Sequence, residues 1–348
     1  MAYRAVRNTF LTTMAAVGAL TFATGPAQAQ VEIIAVMTPE QGTDFGWNQQ
    51  GVDAARAAAE AMGVEVITAE GLGYGDVRPT LRELAGEGAD LIIAHASGYN
   101  TAAPEVAHET GVAVAIVDTP EAVEPGLIAD YTLSGHDGAY LAGILAANMS
   151  RTDTVGIVVS GEPPSWNSQS AGFALGARAA NPDIDIIYAV IGPAAYADAA
   201  GGRRVTESVI AAGADIVFGQ GNGSTFGMLQ AIETTPAVDG DQAWFIDVIG
   251  DKSSIDTGFL LSSVVWNLEP VYTAMIDDLN NGDFGAVGYE IGLEDDSVVL
   301  LQTEYIPPAT WTELMEVRQA IIDGAVEVPA IFDAQEVRAL MTTVDASE

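Results

Sequence analysis

Between residues 31 and 62 the chain reads VEIIAVMTPEQGTDFGWNQQGVDAARAAAEAM. A short apolar run, Ile33–Met37, gives way to a polar loop with two glycines. Val52, Ala55, Ala59 and Met62 then recur at spacings of three and four, the period of a helix with one apolar face. Strand, loop and helix in this order form the opening half of a βαβ unit, and parallel strands connected this way need helices on both faces.

The unit repeats along the chain. Strand patterns at 64–68, 91–94, 112–117 and 127–131 alternate with helical patterns at 76–88 and in the segment ending near Gly111. Residues 136–150 interrupt the alternation with a helix that is apolar nearly all round: Tyr140, Gly143, Ile144 and Ala147 share one face, and Leu141 and Leu145 lie opposite. Such a helix is buried. Strands at 155–159, 184–190, 216–218, 244–248 and 259–265 then alternate with helices at 165–180, 197–212, 224–233 and 268–280. A late strand at 298–301 and a helix at 310–323 follow. The fold class is α/β, with two lobes, each a parallel sheet wrapped by helices.

The expected organisation is a signal peptide over 1–29, a first lobe over 30–133 to which about 266–300 returns, and a second lobe over 134–265. Residues 301–348 are left without a lobe. The first 29 residues carry Arg4 and Arg7, an apolar stretch from Phe10 to Phe22, and Ala27-Gln28-Ala29 as a cleavage pattern. Export to the periplasm is therefore expected. The chain has no cysteine, which excludes disulfides, thiol nucleophiles and a lipid-modified cysteine. Its formal net charge of −36 becomes −38 when the two leader arginines are removed. Nucleic acid and anionic lipid would repel it. Lys252 is the only lysine.

In open parallel sheets ligands bind at the carboxyl ends of the strands. Each predicted strand there delivers polar or aromatic residues. The candidates are Asp44, Trp47 and Asn48 after the first strand, Tyr99 after the third and Asp118 after the fourth. In the second half they are Trp166, Asn222, Asp251 and Trp266. Each also has an ordinary structural reading: Trp47 can pack on the core, and Asp44 or Asn48 can cap the helix. The turn Gln220-Gly221-Asn222-Gly223-Ser224 opens a helix but is neither a Walker A loop nor a dinucleotide fingerprint. G-x-S-x-G and HExxH are absent, and the three histidines, His95, His108 and His136, lie in separate segments without metal-ligand spacing. No cofactor or metal is implied.

The motif TDFGWNQQGVDAA resembles the D-x-x-[FW]-N-Q segment of the basic membrane protein, or PnrA-like, family. LRELAGEGADLIIAHASGY, HDGAYLAGILAANMS, AGFALGARAANPDI, VIAAGADIVFGQGNGST, FLLSSVVWNLEPVYTAMIDDLNNGDF and IIDGAVEVP are similar to family segments in the same order. The resemblance implies the type I periplasmic-binding-protein fold, two Rossmann-like lobes joined by three crossovers. It also implies a substrate-binding component of an ABC importer, with a purine nucleoside or base as ligand and a membrane permease as partner. In such a protein Trp47 would stack on the base, Asn48 would bond its edge with Asp44 nearby, and Asp118 and Asp251 would accept hydroxyl or ring N–H bonds. Two departures stand out. The lipid-anchor cysteine is missing. Ser263-Val264-Val265-Trp266-Asn267 stands where nucleoside binders commonly carry S-M-V-K-R, so Trp266 replaces a lysine.

These features point to an exported, monomeric solute-binding protein for a small, flat, uncharged ligand. An exported enzyme acting on nucleosides and a ligand-sensing module for a membrane receptor are the competing readings. The cleavage pattern predicts a mature N-terminus at Gln30, to be checked by N-terminal sequencing of exported material; a chain still beginning at Met1 would contradict it.

Overall fold

The computed structural model describes residues 30–133 and 135–343. The expected leader, residues 1–29, lies outside them. The first half builds β1 (Ile33–Met37), α1 (Trp47–Met62), β2 (Glu65–Ala69), α2 (Arg78–Gly86), β3 (Leu91–Ala94), α3 (Ala102–Thr110), β4 (Ala113–Val117) and β5 (Ile128–Thr132). The second builds α4 (His136–Met149), β6 (Thr154–Val159), α5 (Pro164–Ala180), β7 (Asp185–Val190), α6 (Ala199–Ala211), β8 (Ile216–Gln220), α7 (Thr225–Thr234), β9 (Trp244–Ile249) and β10 (Leu260–Trp266). The chain then continues through α8 (Glu269–Asn281), β11 (Tyr289–Glu290), β12 (Val298–Leu300), α9 (Pro308–Ile322), α10 (Ala334–Ala339) and β13 (Thr342–Thr343).

Two sheets result. One has the order β11-β5-β4-β3-β1-β2, the other β12-β10-β9-β8-β6-β7-β13. All neighbours are parallel except β10 and β12. The central strands are continuous apolar runs because helices cover both faces; β3 and β4, for instance, are buried at every position. In each sheet the first strand of the half lies between the second and third, so the order reverses at β1 and at β6. Ligands collect in the crevice at such reversals, outside the carboxyl ends of the strands. The loops after β1, β3, β6 and β8 therefore define where a site can form.

The chain passes between the sheets three times, after β5, after β10 and after β11. The return to the first sheet is made by α8, which packs on α1, and by β11. It ends earlier than the expected 266–300, because β12 pairs antiparallel with β10 in the second sheet. A three-residue apolar run carries no mark of which sheet edge it will cover. The C-terminal segment packs on the second lobe: α9 on α4, α10 on α5 and β13 along β7.

This explains the all-round apolar α4. One side packs on α5 and the other meets α9, β10 and β12. Helices α4 and α5 cross with backbones nearly touching. A Cβ on Gly176 would fall well inside van der Waals distance of the Tyr140 carbonyl oxygen, and one on Gly143 would do the same to Phe173. Replacing Gly176 by Val should therefore cost about 1–3 kcal/mol through overpacking. Gly86→Ala, where nothing lies within 4 Å, should be neutral. Urea midpoints of the two variants check this; equal midpoints would contradict the close crossing.

Candidate functional site

The loop after β1 is built around one carboxylate. Asp44 Oδ1 accepts from the backbone N–H groups of Gly46 and Gln49, both at 3.0 Å, and Oδ2 accepts from the N–H and the side-chain amide of Asn48 at 3.1 and 2.7 Å. The N-cap of α1 is Gly46, which has no side chain to offer, so Asp44 supplies the acceptor from two residues upstream. Asn48 Oδ1 accepts from the N–H of Glu40 at 3.1 Å. Both side chains are buried and spent on the loop. What they hold in place is Trp47, at the first turn of α1.

Trp47 lies flat on the His95 imidazole, with ring centroids 3.5 Å apart and planes 13° from parallel. Its Nε1–H donates to the His95 carbonyl oxygen at 3.1 Å, and His95 Nε2–H donates back to the Trp47 carbonyl at 2.9 Å. With Nε2 the donor, Nδ1 is the acceptor, and it faces the hydroxyls of Tyr131 and Tyr272 at 2.7 and 2.8 Å. Desolvation of the fully buried ring drives its pKa down to about 3. His95 is a neutral, oriented plate beneath the indole. It fits under α1 because Gly51 leaves room: a Cβ there would collide with the ring.

Above Trp47 is a cavity of about 230 Å³ between the lobes. The first lobe lines it with Trp47, Tyr74, Ala96, Ser97, Val117, Asp118 and Leu133. The second contributes Pro163, Pro164, Ser165, Trp166, Tyr196, Asn222, Ile249 and Trp266. Trp266 meets Trp47 edge to face, with centroids 6.2 Å apart, and Trp166 meets Tyr196 in the same manner at 5.4 Å. The volume is below the usual range of roughly 300–1,000 Å³ for small-molecule sites, which suits one compact ligand. Among the described residues, lysine, arginine and histidine are absent from the lining, and Asp118 is its one carboxylate.

Backbone strain concentrates here. Asp118, Asn222 and Ile249 all line the cavity with positive φ, 49°, 48° and 72°, and Phe45 beside it has φ 50°. For β-branched Ile249 this conformation is an outlier, costing about 1–3 kcal/mol. The lobes also touch along the rim. Phe45 meets Phe226 edge to face at 6.4 Å, and Gly250 packs against the Phe45 carbonyl. The two lobes are thus in direct contact across the cleft.

Asp118 Oδ1 accepts from the backbone N–H of Leu133 at 2.8 Å, and Ser165 bonds it from the opposite lobe. Burial raises its pKa to about 6, with the Asp130 charge adding to the effect and the two hydrogen bonds opposing it. Lys252 does not reach the cavity. It is buried in an ion pair with Asp247, whose pKa is raised by burial despite the lysine beside it.

Of the nine candidates from the sequence, the structure brings five to the cavity: Trp47, Asp118, Trp166, Asn222 and Trp266. Asp44 and Asn48 serve the loop. Tyr99 is fully buried, with its hydroxyl donating to the Gly73 carbonyl at 2.8 Å, and so steadies the turn that carries Tyr74. Asp251 is exposed and accepts from the N–H and hydroxyl of Ser253. Each of these four lies near a strand end, but its polar atoms are spent within the loops: those of Asp44, Asn48 and Asp251 in their own, that of Tyr99 in the neighbouring loop after β2. Tyr74 and Tyr196 were not singled out. They follow β2 and β7, the strands flanking the reversals, where the same strand-end rule applies. Ile249, an apolar residue ending an apolar strand, carried no signal.

The family model for ABC transporter substrate-binding proteins of the PnrA-like type matches residues 31–331. The chain belongs to this family. Its members are substrate-binding proteins of ABC transporters, not known enzymes. A transcriptional activator protein, med, of Bacillus subtilis (strain 168) is 22% identical over 74% of the chain and 78% of its own length. A purine-binding protein of Brucella abortus (strain 2308) is 29% identical over 50% of each chain, so the match spans about half of that relative. The solved solute-binding protein of Aeropyrum pernix K1 superposes with a TM-score of 0.73 at 19% identity, covering 88% of this chain and 96% of its own. The architecture of this PnrA-like chain is accordingly the type I periplasmic-binding-protein fold.

The Asp118 environment has a pH signature. Its folded pKa of about 6 exceeds the ordinary 3.8, so ionised Asp118 weakens the fold as pH rises through that window. A ligand donating an N–H or O–H to the carboxylate favours the ionised form. Binding near pH 6 should therefore release a proton, and affinity should fall as pH drops from 7 to 5. Calorimetry in buffers of different ionisation enthalpy measures the release. Asp118→Asn should abolish it; a pH-independent affinity in the unmutated protein would contradict it.

Proposed function

We propose that this chain is the exported, periplasmic substrate-binding component of an ABC importer and that it closes on a purine base or nucleoside. The observation that carries the reading is the Trp47 indole, held flat on neutral His95 at 3.5 Å and facing a cavity that no cation lines. Such a platform rewards a flat ring, on the order of 1–3 kcal/mol per stacked base. A phosphate would meet Asp118 and no positive partner, so nucleotides are excluded. The purine-binding name of the Brucella relative supports the same ligand class.

Glycosidic hydrolysis by the common route uses two carboxylates flanking the scissile bond. Asp118 is the one carboxylate in the lining, which favours binding over turnover. The net charge of −36 opposes a role on nucleic acid. The protein acts as a monomer that hands its ligand to a membrane permease, with the three crossovers as the hinge.

Calorimetry and thermal unfolding with hypoxanthine, adenine, their nucleosides and AMP test this. A bound base or nucleoside should raise the unfolding temperature, while AMP should not. Tight binding of AMP, or no binding of any purine, would overturn the reading. Trp47→Ala should weaken binding about tenfold or more with the fold intact. Asn48→Ala should act differently: it strands the Glu40 N–H and removes a donor from Asp44, costing about 1–3 kcal/mol of stability. Denaturant midpoints and affinities of both variants separate the two roles.

A further inference from the structure

On the second lobe's side, the wall of the cavity is largely one short piece of chain. Pro163, Pro164, Ser165 and Trp166, the N-cap and first turn of α5, are four of the eight residues that lobe contributes. Ser165 also bonds Asp118 of the opposite lobe. The C-terminal end of the chain grips both flanks of this wall. Just before it, Glu162 receives Arg338 of α10 two-handed, Nε to Oε1 at 2.9 Å and Nη2 to Oε2 at 2.5 Å. The Tyr188 hydroxyl donates to the same carboxylate at 3.1 Å. Just after the wall, the buried Asn167 amide spends its two hydrogens on two carbonyls, that of Glu162 at 3.2 Å and that of Phe332 at 2.8 Å. The gripping segment is itself anchored, because Arg178 of α5 donates to the Leu340 carbonyl and Val337 is fully buried. It begins where the match to the family model, residues 31–331, ends. A second, open hollow adjoins the cavity: Pro163 and Tyr196 line both, and Glu162 and Arg338 line the hollow. A wall inside a close-packed core is held by volume alone. A wall with a hollow beside it keeps its place only as far as it is tethered.

We propose that residues 332–341 form a clasp whose ties, Arg338 to Glu162 and Asn167 to Phe332, fix the Pro163–Trp166 wall and thereby hold the site to a ligand the size of a nucleobase. A wall already in its binding position costs nothing to order when the ligand arrives. With the Arg338 tie cut, the wall recedes toward the hollow. A base then loses contact with Ser165 and Trp166, while a ligand carrying a sugar gains room. Arg338 does not line the ligand cavity; it is a positioning residue that acts through Glu162. The inference rests on the nucleobase reading and adds what limits the ligand's size. The competing explanation is a surface ion pair with no bearing on the site. Its side chains are 48% and 21% exposed, and pairs that open to water add little to global stability. Cutting the tie should therefore leave the fold standing and expose the positional effect by itself.

The test compares the full mature chain with Arg338→Ala and with the charge-exchanged double variant Glu162→Arg, Arg338→Glu. Calorimetry with adenine and adenosine reads affinity, and urea midpoints read stability. Hydrogen exchange in the ligand-free protein reads the wall through the backbone N–H groups of Trp166 and Asn167, both of which donate to the Pro163 carbonyl at 3.0 Å. In Arg338→Ala these two amides should exchange about tenfold faster through local opening, with the urea midpoint unchanged. Adenine should bind about fivefold more weakly or worse, and its affinity relative to adenosine should fall. The charge-exchanged pair should recover most of both losses. If adenine binds the unmutated protein and binds Arg338→Ala equally well per folded molecule, the inference fails while the nucleobase reading stands, whatever the midpoint does. If the unmutated protein binds neither purine, the nucleobase reading fails and takes the size limit with it; the exchange rates then decide by themselves whether the clasp holds the wall.

Discussion

The site depends on a histidine that burial keeps neutral. His95 follows a fully buried strand, its ring is sealed beneath α1, and desolvation lowers its pKa to about 3. Removed from water, the imidazole works as a flat neutral plate with one donor and one acceptor. The donor fixes the Trp47 backbone, the acceptor is held by two tyrosine hydroxyls, and the face carries the indole. A charged imidazolium in the same place would need a partner that the surrounding tyrosines do not provide. The stacking platform is therefore set from below, by core packing of the first lobe, and needs no ligand to hold its shape.

The rest of the cavity is assembled from strained pieces. Asp118, Asn222 and Ile249 sit at the ends of β4, β8 and β9 in a conformation that non-glycine residues avoid. Such strain persists only where the neighbouring structure over-determines it, and here the neighbours are parallel strands buried on both faces. The cost of this geometry is carried by two rigid sheets, each with the order reversal that opens a crevice. Contact between Phe45 and Phe226 and between Gly250 and Phe45 then brings the two crevices together over one small volume. A loop-built site on softer supports would relax these angles and lose the shape.

Periodicity alone carried the architecture. The recurrence of Val52, Ala55 and Ala59, the apolar runs at β3, β4, β6 and β8, and the second alternation after α4 allow few topologies, because parallel strands with helical crossovers connect in one hand. The absence of cysteine and the excess of carboxylates were likewise readable at once. The strand-end rule also found Trp47, Asp118, Trp166, Asn222 and Trp266, since aromatic and polar residues at those positions have few other places to go. It could not separate them from Asp44, Asn48, Tyr99 and Asp251. All nine are near strand ends, and one-dimensional spacing does not say whether a carboxylate faces the cleft or turns back onto its own loop.

That distinction is tertiary. Asp44 is consumed by four donors that the turn at Gly46 happens to aim at it, while Asp118 lines the cavity and bonds Ser165 of the opposite lobe. Lys252, the one lysine of the chain, vanishes into a pair with Asp247, so the charge of the cavity could not be had by counting residues. The same holds for β12, whose three residues cover whichever sheet edge is left open. The sequence determined that two doubly wound lobes would form and where their crevices would be, because burial period and chain direction are local properties. Only the folded structure decided which polar groups those crevices keep free, because a hydrogen bond goes to whatever partner lies within about 3 Å, however far away in the chain.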